Sequence, residues 1–190
     1  MAESNHAIDR RTVLRAGIAL GVGRAVSRAG EVQADPAAAA PRPGDVLVRL
    51  NDASRIALVS GDIRIGALPV AAWPMDPIEG IVRSGTRLNQ VLLLRLDPDT
   101  LTADTRPRAA DGVVAYTMIC THNGCDVDDW IAKEHVLSCS CHDSRFDPKD
   151  GAAVVDGPAP RPLPALPLKI VDGKLTVAAP FTSRVGFEKG

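Results

Sequence analysis

Residues 120–142 read CTHNGCDVDDWIAKEHVLSCSCH, and this stretch contains all four cysteines of the chain and three of its four histidines. A Cys-x-His pair, Cys120 and His122, is separated by sixteen residues from a Cys-x-x-His pair, Cys139 and His142. Thiolates and imidazoles are ligands for zinc and for iron-sulfur clusters, so both kinds of centre fit this spacing. The pattern therefore predicts one metal centre held by two separate loops.

The two pairs resemble the Rieske family, in which two cysteines hold one iron of a 2Fe-2S cluster and two histidines hold the other. The resemblance implies that one 2Fe-2S cluster binds here, with the four residues of the two pairs as ligands. It also implies a disulfide between the other two cysteines, Cys125 and Cys141, because the respiratory branch of the family has one between its ligand loops. The alternative, a zinc-stabilised interaction module, does not explain why one additional cysteine falls on each loop.

Mixed ligation has a direct electrical consequence. Two thiolates and two neutral imidazoles leave an oxidised 2Fe-2S centre near zero charge, whereas four thiolates leave it at about minus two, so the mixed centre accepts an electron more readily. Centres of this type have potentials of roughly −150 to +300 mV, against about −400 mV for plant-type ferredoxins. Each imidazole also has a second ring nitrogen that can carry a proton, which couples electron uptake to proton uptake.

The residues after the second pair indicate where in that range the centre falls. Ser144 corresponds to a serine that donates to a bridging sulfide in many respiratory members of the family. Phe146 stands where those members have a tyrosine, and a phenyl ring has no proton to donate to a cysteine sulfur. Asp143 adds a negative charge nearby. Together these features predict an intermediate potential, below that of the quinol-oxidising members.

Residues 157–164, GPAPRPLP, resemble the proline loop that covers a third side of the Rieske cluster. Because proline fixes φ, such a segment forms a stiff wall. The other two histidines are not predicted to be ligands. His135 is interpreted as an exposed loop residue, and His6 falls in the N-terminal leader.

The 16 Gly and 15 Pro among the 190 residues supply many turns, and only 3% of the residues are aromatic. This composition favours an all-β protein of short strands. The resemblance implies a Rieske fold of antiparallel sheets over residues 45–185, with a small cluster-binding subdomain at about 113–160 inserted in a basal β domain. The formal net charge of −1 argues against a nucleic-acid partner. The predicted strands are 46–48, 56–59, 70–73, 91–96, 113–116 and 135–137, followed by a hairpin of 166–171 with 174–177 across Asp172-Gly173. Residues 98–112 are compatible with either a helical turn or a partner-facing loop, and 146–151 with a turn-rich segment.

The N-terminus has the features of an export signal. Residues 1–34 are predicted to be a leader, because Asp9-Arg10-Arg11-Thr12-Val13-Leu14-Arg15 resembles the twin-arginine motif. The apolar segment 16–23 is far shorter than the roughly 20 residues that a membrane span needs, so no transmembrane anchor is expected. The alternative is a basic amphipathic helix that stays attached. Residues 35–44, DPAAAAPRPG, are predicted to be a linker.

These features together predict a periplasmic electron-transfer protein exported by the twin-arginine route. The chain is most similar to the small Rieske subunits of arsenite oxidases, partly through residues 111–116 ahead of the first ligand pair. That resemblance implies a larger, molybdenum-containing catalytic subunit as donor and a cytochrome c or copper protein as acceptor. The main alternative is the Rieske subunit of a quinol-oxidising cytochrome bc complex. A ferredoxin of an oxygenase system is a third, against which the two additional cysteines and the arginine pair argue.

Overall fold

The computed structural model describes residues 34–187, so the leader predicted over residues 1–34 lies outside the described residues except for Ala34. The described chain is almost entirely β, with antiparallel pairing between all neighbouring strands, which confirms the predicted fold class. Its strands are β1 (Val46–Arg49), β2 (Val70–Asp76), β3 (Ile81–Val82), β4 (Val91–Arg95), β5 (Val113–Thr117), β6 (Asp129–Ile131), β7 (Val136–Cys139), β8 (Ser144–Asp147), β9 (Ala153–Asp156), β10 (Leu168–Val171) and β11 (Lys174–Val177). Short 3₁₀ helices span Pro36–Ala38, Ser60–Asp62, Arg87–Asn89, Pro98–Thr100 and Arg106–Arg108. No helix within residues 34–187 has the length and apolar character needed to cross a bilayer.

The larger sheet has the strand order β10-β11-β1-β2-β4-β5, with β3 paired to β2. Its two ends approach each other through the segment that precedes β10. The N–H of Thr117 donates to the carbonyl of Pro164 (2.9 Å), and the N–H of Leu166 donates to the carbonyl of Ala115 (2.9 Å). These bonds cover the free edge of β5, so the sheet curls into a half-barrel and does not leave β5 as an open edge.

Strand β4 is buried on both faces, which explains its uninterrupted apolar sequence. Leu92 and Leu94 point into the core shared with the smaller sheet, while Val91 and Leu93 point into the core inside the half-barrel. Strand β5 divides its side chains in the same way. Because successive side chains of a strand alternate between faces, an apolar run without alternation is the expected signature of a strand between two cores.

The smaller sheet is a meander, β6-β7-β8-β9, inserted in the chain between β5 and β10 of the larger sheet. The two sheets share a core, and Tyr116 of β5 ties them together because its hydroxyl donates to the carbonyl of Pro148 (2.8 Å), just after β8. Burial raises the pKa of this tyrosine, so it remains a neutral donor. This hydrogen bond therefore joins β5 of the larger sheet to the β8–β9 turn of the smaller sheet.

Most of the predicted strands are present, and the differences have local causes. Residues 56–59 were predicted to be a strand but form only isolated bridges, Ala57 to Val48 and Val59 to Lys174, because Ser60–Asp62 turns into a 3₁₀ helix. Strand β2 extends past the predicted 70–73 to Asp76 and includes Pro74. Phe146, placed in a turn-rich segment by the prediction, lies within β8. The Asp172-Gly173 hairpin is confirmed.

Two short helices occupy the segment whose structure the sequence left open. Residues 98–100 and 106–108 each form one 3₁₀ turn. Residues 35–44, predicted as a linker, contain the 3₁₀ helix Pro36–Ala38 and contact the larger sheet, since the N–H of Gly85 donates to the carbonyl of Ala37 (2.9 Å). Gly85 permits this approach, because a Cβ there would be 2.6 Å from the backbone nitrogen of Ala38.

A buried ion pair joins the start of β1 to the end of β3. The guanidinium of Arg83 makes two contacts with the carboxylate of Asp45, at 2.5 Å and 2.7 Å, and both side chains are almost fully buried. The N–H of Arg42 also donates to Asp45 (2.8 Å), and Asn89 donates to the carbonyl of Arg83 (3.0 Å). The contact with Asp45 raises the pKa of Arg83, so the arginine stays charged in this buried position.

Replacing Asp45 with Asn should therefore lower the free energy of unfolding by about 3 kcal/mol, because it leaves the buried Arg83 cation without its bidentate partner. Urea titration followed by tryptophan fluorescence measures this loss. The matched control is Asp111→Asn, which breaks the more exposed pair with Arg95 and should change the unfolding midpoint much less. Equal losses in the two variants would contradict a structural role for the buried pair.

Candidate metal centre

Two loops and the last residue of β7 carry the four predicted ligands, and different parts of the fold place them. Ligand loop 1, residues 120–128, runs from β5 of the larger sheet to β6 of the smaller one. It is a tight turn, in which the N–H of Cys120 donates to the carbonyl of Cys125 (2.8 Å) and the N–H of Gly124 donates to the carbonyl of Cys120 (3.0 Å). Ligand loop 2, residues 140–143, is the turn between β7 and β8, directly after Cys139.

The structure brings the predicted ligands together in two pairs. Cys120 and Cys139 are free thiols, both buried, and their side chains interact. The rings of His122 and His142 meet edge to face, with their centroids 4.7 Å apart. His142 is exposed, whereas His122 is half-buried. The two sulfurs thus lie on the inner side of the site and the imidazoles reach the surface.

His122 has a nitrogen that is available to a metal. Its Nδ1 is buried and has no hydrogen-bond partner among residues 34–187. A buried polar nitrogen without a partner is unfavourable in a folded protein unless something else satisfies it. Together with two buried thiols and a second imidazole, this nitrogen makes a donor set that fits a 2Fe-2S cluster of mixed cysteine and histidine ligation.

Burial of the Cys139 thiol favours its protonated form. The pKa of Cys139 is raised to about 11, first by burial and then by the Cys120 thiol and the Asp128 carboxylate, while a hydrogen bond from the backbone of Cys141 acts in the opposite direction. Thiolates, not thiols, bind metals, so metal binding at Cys139 releases a proton.

The disulfide implied by the resemblance is present between Cys125 and Cys141 and links the two ligand loops. The sulfurs of both residues lie within 4.8 Å of the Cys139 sulfur, so three sulfurs are grouped here. Two of the three are used by the disulfide and have no thiolate to offer a metal. The disulfide is therefore a clamp beside the donor set, and only the thiol of Cys139 in this group remains free to bind.

Ser144 and Phe146 lie close to the two thiols. Ser144 is paired with Cys139 across β7 and β8, and its Oγ accepts a hydrogen bond from the N–H of Ala159 (3.2 Å). That contact uses a lone pair and leaves the hydroxyl proton free to donate. Phe146 is fully buried in the core cluster that also contains Cys120 and Cys139. Its ring supplies apolar wall and no donor.

The proline loop, residues 157–164, packs directly on both ligand loops. A Cβ at Gly157 would be 2.5 Å from the Cα of Ser144, so only glycine permits this approach to ligand loop 2. On the other side, the hydroxyl of Thr121 in ligand loop 1 donates to the carbonyl of Arg161 (2.7 Å). The proline loop therefore holds the two ligand loops from a third direction.

The sequence analysis missed the contribution of the C-terminal segment. The guanidinium of Arg161 donates to the carbonyl of Gly186 (2.5 Å), and the ring of Phe187 lies against Gly124 in ligand loop 1. It also missed Asp128, whose carboxylate contacts ligand loop 2. These three contacts join residues 12 to 63 positions apart in the chain, and no spacing in the sequence signals any of them.

The fold and the donor set define a small β domain that carries a 2Fe-2S centre for electron transfer. The sequence of residues 89–167 matches the family model of the Rieske [2Fe-2S] domain. A cytochrome bc1 complex Rieske iron-sulfur subunit from Streptomyces lividans is 33% identical over 147 residues, which is 75% of this chain and 85% of that protein. The chain belongs to the Rieske family, and it binds one 2Fe-2S cluster.

Other relatives match over shorter stretches. A putative respiratory nitrate reductase Rieske subunit from Haloferax mediterranei is 45% identical over 76 residues, 40% of this chain and 34% of that protein. The chain covers 41% of the bc1 Rieske subunit of Streptomyces coelicolor, so it spans less than half of these two relatives. Among solved structures, the soluble domain of Rieske protein II from Sulfolobus acidocaldarius is 25% identical, covering 50% of this chain and 65% of that chain with a TM-score of 0.38.

Changing Gly157 to Ala should loosen the site, because the new Cβ collides with the backbone of Ser144. Gly173→Ala is a matched control, since Gly173 also has a positive φ (+76° against +84°) but has open space around its Cα. Both variants carry the strain of a left-handed alanine, about 1 kcal/mol, and only Gly157→Ala adds the collision. We expect a lower melting temperature and less bound iron in Gly157→Ala than in Gly173→Ala. Identical iron content and melting temperature in the two variants would show that the contact is not needed.

Proposed function

We propose that Cys120, Cys139, His122 and His142 hold the 2Fe-2S cluster, and that the protein uses it to transfer single electrons. The observation that carries this proposal is that the two ligand loops bring together two buried free thiols and two imidazole rings. The centroids of the two rings are 4.7 Å apart. A bound cluster supplies reversible one-electron chemistry in the range described for mixed ligation.

The chain's own residues give that chemistry a direction. The ring of His142 is the most exposed member of the donor set, and the half-buried ring of His122 lies beside it. Imidazoles at the surface can exchange a proton with solvent, whereas the buried thiols cannot. Phe146 and Leu137, both fully buried, exclude water from the inner side of the site. Electrons are thus exchanged through the histidine side.

We propose further that the protein is the small subunit of a larger periplasmic oxidoreductase. Its resemblance to the small subunits of arsenite oxidases supports a molybdenum-containing catalytic subunit as donor and a cytochrome c or copper protein as acceptor. The disulfide supports an oxidising compartment, since disulfides persist mainly in exported proteins. Arg10-Arg11 supports export by the twin-arginine route, which suits a protein that acquires its cluster before export.

The second candidate function is that of a Rieske subunit in a cytochrome bc complex. The relative from Streptomyces lividans favours it, because that bc1 subunit matches over 85% of its own length. In such a complex, an exposed histidine ligand accepts a hydrogen bond and a proton from quinol. Phe146 argues for a lower potential than quinol oxidation uses, since it cannot donate to the cysteine sulfur.

Histidine variants test the proposed ligands. His142→Asn should lose the cluster or its mixed-ligand signal, because a carboxamide is a poor ligand for iron, and His122→Asn should do the same. His135→Asn should keep both. His135 is a suitable control position for the same substitution, because it is exposed and its φ of +56° is a conformation that asparagine tolerates. Iron and sulfide content and the EPR spectrum of the dithionite-reduced protein are the measurements.

The wild-type protein should contain two irons and two sulfides, with a rhombic EPR signal whose average g is below that of all-cysteine centres. That expectation comes from the family. A colourless, zinc-loaded wild-type protein would overturn the electron-transfer function. A normal signal in both His122→Asn and His142→Asn would overturn the assignment of ligands while leaving the cluster in place.

Purification from the native host tests the partner. The full-length chain with a C-terminal affinity tag should co-purify with a larger subunit, and metal analysis of the complex should find molybdenum together with iron. A complex that contains b-type and c-type haem without molybdenum would instead establish the cytochrome bc assignment. The matched control is the His142→Asn chain, which separates binding of the partner from possession of an intact centre.

A further inference from the structure

Asp128 joins the two ligand loops through a contact that the disulfide does not make. Its carboxylate accepts a hydrogen bond from the hydroxyl of Ser140 (3.0 Å) and a longer one from the backbone N–H of Ser140 (3.3 Å). Ser140 lies between Cys139 and Cys141, so both contacts act on the turn that carries a proposed ligand, the disulfide and His142. The carboxylate therefore caps the turn of ligand loop 2, in the way that an acidic side chain caps a turn close to it in sequence.

Within the described part of the chain, the Asp128 carboxylate forms no ion pair. Asp126, on the same loop, is paired with Arg87, and Asp156 lies 3.9 Å from Arg145. Within residues 34–187, no lysine or arginine nitrogen lies within 4.0 Å of the Asp128 carboxylate. A full negative charge thus remains next to Ser140, one residue from Cys139.

We propose that Asp128 is a positioning residue that fixes ligand loop 2 and lowers the reduction potential of the centre. The inference rests on the proposed function, because it concerns the centre that the two ligand loops would hold. Reduction adds one negative charge to that centre. A fixed carboxylate nearby disfavours the added charge, so the oxidised form is stabilised and the potential falls.

The size of the effect follows from distance and exposure. Two unit charges several ångströms apart interact strongly in a protein interior but weakly in water, and Asp128 is exposed. We therefore expect its removal to change the equilibrium constant for reduction roughly three- to tenfold, where tenfold corresponds to about 59 mV for one electron. Salt should weaken the effect, since an exposed charge is screened over a Debye length of about 8 Å at physiological ionic strength.

The test is a mediated redox titration of the cluster-loaded full chain, followed by EPR. Asp128→Asn removes the charge and keeps an oxygen that can accept from Ser140, so its potential should rise by the amount given above, and less at high salt. Asp128→Glu keeps the negative charge, so its potential should lie closer to the wild-type value than that of Asp128→Asn. Asp129→Asn is the matched control, because the neighbouring Asp129 carboxylate bonds to the N–H of Trp130 and makes no contact with ligand loop 2. The equilibrium constant for reduction of this control variant should stay within twofold of the wild-type value.

Ser140→Ala separates positioning from charge. It removes the shorter contact but leaves the carboxylate in place, so the equilibrium constant for reduction should change less than twofold. A chelator should remove iron faster than from wild type. If Asp128→Asn does not retain a cluster, Asp128→Ser takes its place, since serine is neutral and offers a hydroxyl oxygen to Ser140. A neutral variant with the wild-type potential, or an equal shift in Asp129→Asn, would overturn the inference. A wild-type protein without a Rieske signal would overturn the proposed function instead.

Discussion

The structure depends on one constraint, which is that two loops from different sheets must meet within a few ångströms. Ligand loop 1 leaves β5 of the half-barrel, and ligand loop 2 is the tip of the β7–β8 hairpin. Four contacts keep them together: the Cys125–Cys141 disulfide, the hydrogen bonds from Ser140 to Asp128, the approach of the proline loop at Gly157, and the bond from Thr121 to the carbonyl of Arg161. A donor set assembled from two elements needs such external support, because neither loop fixes the position of the other.

Burial divides the site into an inner and an outer half. Cys120 and Cys139 lie in the same apolar core as Phe146, so the inner half is dry. The rings of His122 and His142 meet near the surface, and His142 is exposed. This arrangement suits a protein that must exchange electrons with a partner while keeping solvent away from its sulfur ligands. It also leaves the imidazoles as the groups of the donor set that can exchange protons with solvent most readily, since Cys120 and Cys139 are buried.

The half-barrel supplies rigidity beneath this site. Strands β4 and β5 are buried on both faces, and β5 leads directly to Cys120, so the first ligand follows one of the most enclosed strands of the described chain. The buried pair of Asp45 and Arg83 and the bond from Tyr116 to Pro148 add fixed polar contacts at the edges of the two cores. A partner that binds at the histidine side therefore meets a preformed surface on a stiff support.

The sequence by itself determined the all-β class, the strand pattern of the core and the disulfide. These features could be predicted because the ligand spacing and the motifs of the family resemblance lie within short stretches of the chain. It also predicted the exposure of His135 and the Asp172-Gly173 hairpin. It failed at residues 56–59, where β propensity alone did not reveal that the neighbouring 3₁₀ turn leaves only isolated bridges. Only the tertiary structure brought Asp128 to Ser140, Gly157 to Ser144 and Phe187 to Gly124. These contacts join residues 12 to 63 positions apart, and their geometry depends on how the two sheets pack, which no local pattern encodes.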